Sequence, residues 1–451
     1  MKKYTKNIIV LTSLIISLTA CDKQLDIDPK VSIDETKALA TSQDVKITLT
    51  GAYDGISNGN VMGGGYSFIN ELLGDDAEVR FGGTFGTLDE IWRKAITTTN
   101  TQNSETWRLS YVAINRVNNV LASLDKLSES DKKRVEGEAL FIRGLVYFEL
   151  IQHYAKTWGD GDNSTNLGVP LVLTPTRIVT KDDNKLRSTV AQVYAQILND
   201  LTKAETLIPA TTESSNTGFA TRNAVNAILS RIYLLQSNYA SARDAANKVI
   251  NSKAHSLAPS FEATFSDING KSENIFKIIV TDQDGVNDLN TYFASTSNQG
   301  RGDIRVLTKH LALYESTDIR GKFFDIVSRN TFSLKFADRY GDVPIVRLAE
   351  MYLTRAEANF RLGTTTGASP VSDVNLLRTR AGAKVSNVLT LEAILKERKL
   401  ELAFEGLLLF DVKRTKKNIG TKLFNDKSLI LPIPQREIDT NKELKQNEGY
   451  Q

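Results

Sequence analysis

The stretch that most constrains this chain is Thr390 to Arg414, TLEAILKERKLELAFEGLLLFDVKR. Helical spacing from Leu391 gathers Ile394, Leu395, Arg398, Leu402, Glu405, Leu409 and Val412 on one face. That stripe is apolar except for Arg398 and Glu405. A surface helix keeps its charges outward, so these two predict burial with partners. Upstream, Val346 to Gly363 repeats the oddity: the stripe Leu348, Met351, Tyr352, Arg355, Asn359, Leu362 carries an arginine in its middle, and Gly363 ends the helix. The two stretches read as packed helices sharing a buried network in which Glu401 or Glu405 answers Arg355 or Arg398. Such networks are common without chemistry, so a structural role is expected.

The run Glu397, Arg398, Glu401, Leu402, Glu405, Gly406, Phe410, Asp411, Arg414 resembles the closing signature of the RagB/SusD family, outer-membrane lipoproteins that capture nutrients for a partner transporter. The tail, Ile433-Pro434, Glu437-Ile438, Asn441 and Gln446 to Tyr450, is similar to that family's C-terminal end, and Leu25-Asp26 with Pro29 matches its start. One position departs, since an arginine is usual where this chain has Leu408. The resemblance implies a surface protein that captures an oligosaccharide or similar oligomer and delivers it unchanged to a SusC-like TonB-dependent barrel, with no cofactor and no catalysis. A surface glycoside hydrolase, or a repeat adaptor binding a protein segment, are the alternatives.

The first twenty residues read as an export signal, with Lys2, Lys3 and Lys6 before the apolar run Ile8 to Leu18. The single cysteine, Cys21, follows Leu18-Thr19-Ala20 as in a lipobox. One cysteine allows no internal disulfide, so Cys21 is expected to be the lipid attachment point. The resemblance implies several acyl chains, which stable anchoring requires. No other apolar run approaches the roughly 20 residues of a membrane-spanning helix. The expected organisation is a signal over 1–20, a lipid-anchored tether over 21–36, a helical repeat region over 37–254, and a region with ligand loops and closing helices over 255–451, all in one body. The formal charge of +3 falls to zero without the three signal lysines, so nothing favours nucleic acid.

Along the chain, Gln43 to Tyr53 starts a helix that stops at a glycine-rich run, Gly55 to Gly65. Helical pattern returns over Asp89 to Asp125, with a break at Thr97 to Asn103, and over Val135 to Tyr154. Thr189 to Ile208 and Thr221 to Asn251 form the clearest pair. There Leu229, Ser230, Tyr233, Tyr239, Ala242, Ala246 and Val249 follow tetratricopeptide spacing, small residues letting helices approach and aromatics filling gaps. The fold expected is mostly α, a tetratricopeptide-like scaffold of about four helix pairs with long loops and a few short strands. The strands and loops belong between His255 and Asp342.

Chemistry is poorly signalled. Gly55-Ile56-Ser57-Asn58-Gly59 fits G-x-S-x-G, but a helix rather than a strand precedes it. Asp160 to Leu171 begins like a calcium loop yet lacks the glycine and glutamate of one. His153, His255 and His310 are far apart in sequence, so no metal site is read. Binding is signalled better, because long loops on a rigid scaffold concentrate ligand residues. Asp75, Asp76, Arg80, Phe81, Phe85 and Trp92 lie in one such stretch, and Asn290, Tyr292, Phe293, Asn298 and Arg301 in another. Aromatic faces, amides, carboxylates and guanidinium groups are what sugars require. Asp75, Asp76, Arg80, Phe81, Trp92, Asn290, Tyr292 and Arg301 are the ligand candidates.

Overall fold

The computed structural model describes residues 39–177, 180, 183–210, 217–266, 272–283 and 285–450. The export signal, Cys21 and the tether lie outside the described residues. The chain opens with α1 (Ser42–Ser57), α2 (Gly65–Gly74), β1 (Val79–Phe81), α3 (Gly86–Arg93), α4 (Thr101–Leu121) and α5 (Glu129–Tyr154). A small hairpin, β2 (Leu167–Pro170) with β3 (Arg187–Thr189), leads to α6 (Val190–Leu207), α7 (Arg222–Leu235) and α8 (Tyr239–Ser252). Short elements follow: β4 (Asn274–Ile278), α9 (Asp288–Phe293), β5 (Ile304–Val306), α10 (Thr308–Leu311), β6 (Phe324–Val327), β7 (Asn330–Ser333) and β8 (Val343–Arg347). The chain closes with α11 (Leu348–Leu362), α12 (Pro370–Arg380), α13 (Leu391–Glu401), α14 (Leu408–Arg414) and α15 (Gln435–Thr440).

The long helices begin where side chains can take the first free N–H groups. Thr41 and Asp44 cap α1 reciprocally, and Thr189 and Gln192 do the same for α6. Packing then runs in order, α1 on α4, α4 on α5, α5 on α6, α6 on α7, α7 on α8, α8 on α11 and α11 on α12. That succession is the four-pair tetratricopeptide-like solenoid expected. Ala242 and Ala246 are fully buried, which lets α7 and α8 approach as their spacing implied. Helix α5 is apolar nearly all round from Ala139 to Tyr154 and is accordingly the buried axis of the body. Burying each of its Phe and Leu side chains contributes about 1.5–3 kcal/mol. On one side lies an antiparallel sheet in the order β1-β5-β7-β6, and β4 pairs with β8 elsewhere.

Two expectations at the closing helices are corrected. Thr390 to Arg414 is two helices, not one, because the corner Leu402–Leu407 contains Phe404 at φ 67° and Gly406 at φ 78°. Gly406 lies against α2, where a Cβ would come 2.7 Å from Ser67 Cα, so only glycine fits. The pairing changes as well. Glu401 is met by Arg320, Arg347 and Arg380, and Glu405 by Arg347 and Lys335, whereas Arg355 binds Asp373 and Arg398 binds Glu350 and Asp411. Arg347 ends β8 one residue before α11, a position the helical stripe did not sample. All four expected network residues are buried, each with a partner outside the set. Arg320 lies 2.8 Å from Asp318 and also pairs with Glu397, which ties this ion pair into the same buried network.

Candidate functional site

Strands β1 and β5 pair antiparallel, Val79 with Val306 and Phe81 with Ile304, and this register brings the two candidate loops together. Just after β1, the Gly82 N–H donates to the Asp303 carbonyl at 2.7 Å. Arg301 then spans the junction. Its Nε donates to Asp303 at 3.1 Å, its Nη2 donates to the Thr84 hydroxyl at 3.0 Å, and its guanidinium lies 4.7 Å from the Phe85 ring centre. Tyr292 meets Phe85 edge to face at 6.0 Å and Phe68 at 4.9 Å. Burial pushes the Tyr292 hydroxyl up to about 12, helped by Asp288 and Asp303, so it stays a neutral donor. Phe85 is 42% exposed, so part of its ring remains open to solvent.

One helical turn before Tyr292, Asp288 faces the end of α1 and the glycine-rich run. Its Oδ2 sits so close to Gly59 that a Cβ there would be 2.0 Å away. Burial raises its pKa to about 6, and its carboxylate takes no hydrogen bond among the described residues. Asn58, Gly59, Asn60, Arg116, Ile279 and Asp288 line a cleft of about 460 Å³, within the range of ligand sites. Ile279 is 48% exposed there, an apolar wall beside amides, a guanidinium and a carboxylate. Polyols suit such a lining.

The other ligand candidates separate. Strand alternation turns Arg80 outward and Phe81 into the core at 4% exposure, so Phe81 is a packing residue and Phe85 the surface one. Asn290 is fully buried and donates to the Phe336 carbonyl at 2.8 Å, which ties loop to scaffold. Asp75 accepts the N–H groups of Glu78 and Val79 at 2.8 and 2.9 Å and the Trp92 indole N–H at 3.2 Å. Trp92 is thereby half-buried at the opposite end of β1 from Phe85. Asp76 pairs with Lys309 at 2.8 Å. Of the eight candidates, the structure thus gathers Tyr292 and Arg301 on one surface. The sequence reading did not select Asn58, Asn60, Arg116 and Asp288. A usable signal was present, since a glycine run flanked by asparagines marks close approach of another segment.

The residues of the catalytic and metal patterns weighed in the sequence are placed as follows. Ser57 is the last residue of α1 and its hydroxyl donates to the Asp54 carbonyl at 2.8 Å, so no exposed nucleophile elbow exists there. Asp162 closes an exposed turn by accepting from Ser164. His153 is buried, which pulls its pKa down to about 3, and His310 contacts Glu78 and Tyr314. No cluster of His, Cys, Asp or Glu suited to a metal ion occurs among the described residues. No described helix is long and apolar enough to cross a membrane.

Two family models match the chain: a SusD-like family described as starch-binding and associating with the outer membrane, over residues 24–234, and the SusD family, over residues 321–423. SusD-like protein P2 of Formosa agariphila is 24% identical, with all of both chains covered. The starch-binding protein SusD of Bacteroides thetaiotaomicron is 37% identical over 125 residues, 24% of this chain and 22% of that one. Among solved structures, a sugar-binding protein so described from Bacteroides vulgatus aligns with a TM-score of 0.80 at 26% identity, covering 91% of this chain and 99% of the other. A SusD superfamily protein from Bacteroides fragilis aligns at 0.78 and 26%, covering 90% and 99%.

Proposed function

The chain belongs to the RagB/SusD family, and from that premise we propose that it is a cell-surface glycan-binding lipoprotein serving a TonB-dependent outer-membrane transporter. Its ligand is an oligosaccharide held on the Phe85–Tyr292–Arg301 ridge and in the adjoining Asp288 cleft. The observation that carries this reading is the β1–β5 register, which brings the loops flanking the two strands together so that the partly exposed Phe85 ring and the Arg301 guanidinium meet. Phe85 would stack on a sugar's C–H face, Arg301 and Asp288 would take hydroxyls, and the amides of Asn58 and Asn60 would fix orientation. Binding of this kind makes and breaks no covalent bond, and the chain's part is capture and release to the barrel. The 37–254 and 255–451 regions act as one body, since α8 packs on α11 across that boundary. Cys21 carries the lipid.

A glycan panel screened against the mature chain by calorimetry tests the binding reading. Binding of at least one glycan, lost when Phe85 is replaced by alanine, is expected. Release of smaller sugars from any panel member would replace this reading with a hydrolase. Cys21→Ala is expected to abolish fatty-acid labelling and move the protein out of the outer-membrane fraction.

A further inference from the structure

A second and larger cleft, about 730 Å³, meets the Asp288 cleft at Val112 and Arg116 and runs between α4, the segment after β2 and the C-terminal segment around α15. Its walls include Trp107, Tyr111 and Val112 of α4, Val172, and Leu444. Tyr111, Val112 and Val172 are only half-buried, so the cleft presents apolar surface with no protein group among the described residues covering it. Leu39, the first residue described, sits on the lining and is 8% exposed. The described chain therefore begins at the cleft itself.

Those residues have a pattern that fits. From Leu25 to Asp34 the sequence LDIDPKVSID alternates without exception, with Leu25, Ile27, Pro29, Val31 and Ile33 apolar and Asp26, Asp28, Lys30, Ser32 and Asp34 polar. Strict alternation over ten residues describes an extended segment with one apolar edge. Such an edge has no reason to exist in a solvated leash, whose composition should be uniformly polar. Pro29 cannot donate to a sheet ladder, so the edge suits side-chain docking in a groove better than a central strand. The family match begins at residue 24, which makes this segment part of the family's unit and not a leader peculiar to this chain.

We propose that residues 25–34 dock in the α4–Leu444 cleft, their apolar edge covering Tyr111, Val112 and Val172. Four residues, Glu35 to Ala38, connect the segment to Leu39 and span up to about 13 Å at about 3.3 Å per extended residue, enough to turn the chain back into the groove. Docking changes what the anchor does. With the segment free, some seventeen residues separate Cys21 from the body, a reach of about 55 Å. With it docked, only residues 22–24 remain, and the cleft becomes the fixed point at which the protein is held to the membrane. The cleft shares Val112 and Arg116 with the Asp288 cleft, so the tether variants, which alter neither wall, decide between docking and a glycan effect.

Trypsin reads the docked state directly, because Lys30 lies in the middle of the segment. In the mature lipoprotein in detergent, cleavage after Lys30 is expected to be at least tenfold slower than in a free peptide of residues 22–38. Ile27→Ser with Ile33→Ser should restore the peptide rate, and Val112→Asp should do so with the tether sequence untouched. The tether pair cannot unfold the body, so the comparison holds even where Val112→Asp destabilises it. Cleavage of the parent at the peptide rate overturns the proposal. Equally, protection of the Tyr111–Val112 amides from hydrogen exchange by a glycan, or only on self-association, assigns the cleft to that occupant instead.

Discussion

Arginine does opposite work in two regions of this molecule. Around Glu401, Arg320 and Arg347 are each 1% exposed and each meets at least two carboxylates. On the Phe85 ridge, Arg301 is exposed and, among the described residues, has Asp303 as its one carboxylate partner. Desolvating a guanidinium costs several kcal/mol, so the first region tolerates its charges only because each is answered more than once. The second region bears little of that cost and gains little, since an exposed pair is worth about 0–1 kcal/mol. Fixed geometry follows in the one and an available hydrogen-bonding fork in the other. Residue type does not separate structural from binding arginines here. Setting does, an apolar helical stripe or strand end against a glycine-rich loop.

Arg347→Ala should break the contrast most severely. It removes partners from Glu273, Glu401 and Glu405 at once, and a cost of about 3–5 kcal/mol is expected from carboxylates left buried and under-paired. Arg301→Ala should cost under about 1 kcal/mol in stability. Denaturant unfolding of both variants measures the difference, and equal midpoints would mean the buried network contributes nothing that a surface pair does not.

A smaller effect should appear in the pH dependence. Glu71, in α2, is 3% exposed and its Oε1 accepts the N–H groups of Gly406 and Leu407 at 2.9 and 3.2 Å, fastening the corner between α13 and α14. Burial nonetheless raises its pKa to about 7. Unfolded, a glutamate titrates near ~4.3. The folded value is the higher one, so the folded state holds the proton more tightly. Its contribution is full below ~4.3 and is lost as pH rises through about 7, on the order of 3 kcal/mol. Glu350 and Glu357 have the opposite sign. Burial would raise them, but Arg231 and Arg414 respectively outweigh it and hold both down to about 2, so their contribution is present above ~4.3 and fades as pH falls toward 2. Glu71→Gln should therefore flatten the loss of stability between pH 5 and 8 and leave the acid limb unchanged. Parallel curves for parent and variant over pH 5–8 would show that Glu71 does not titrate in that window.

Much of the scaffold was legible because helical periodicity and caps are local. Leu391 to Glu401, Val135 to Tyr154 and the Ala242–Ala246 contact follow from spacing alone. The corner at Phe404–Gly406 was not legible, because an apolar run through Leu402, Ala403 and Phe404 continues the helical pattern while contact with Ser67 of α2 dictates the break. Pairing was lost with it, since Arg347 enters from the end of a strand that periodicity had counted as helix. In the loops the residue types were readable and their directions were not. Phe81 and Phe85 are four residues apart in like surroundings, and only the β1 register sends one to the core and leaves the other exposed.

The smallest effect is the one that tests the ridge itself. Phe85 and Tyr292 meet edge to face on the surface, while Trp92, equally aromatic and in the same stretch, is tied by its indole N–H to Asp75 and packs on the core. If flat aromatic contact holds the ligand, Phe85→Ala should weaken glycan binding by about 1 kcal/mol or more, because stacking contacts contribute on that scale. Tyr292→Ala should do the same with some loss of stability, as its ring also packs on Phe68. Trp92→Ala should act the other way round, lowering the unfolding midpoint by leaving the Asp75 carboxylate short of a donor while sparing affinity in whatever fraction stays folded. Calorimetry and thermal unfolding on the three variants separate the roles. Full affinity in Phe85→Ala together with weakened binding in Trp92→Ala would move the site to the Asp75 end of β1, where Asp76 and Lys309 are the exposed groups at hand.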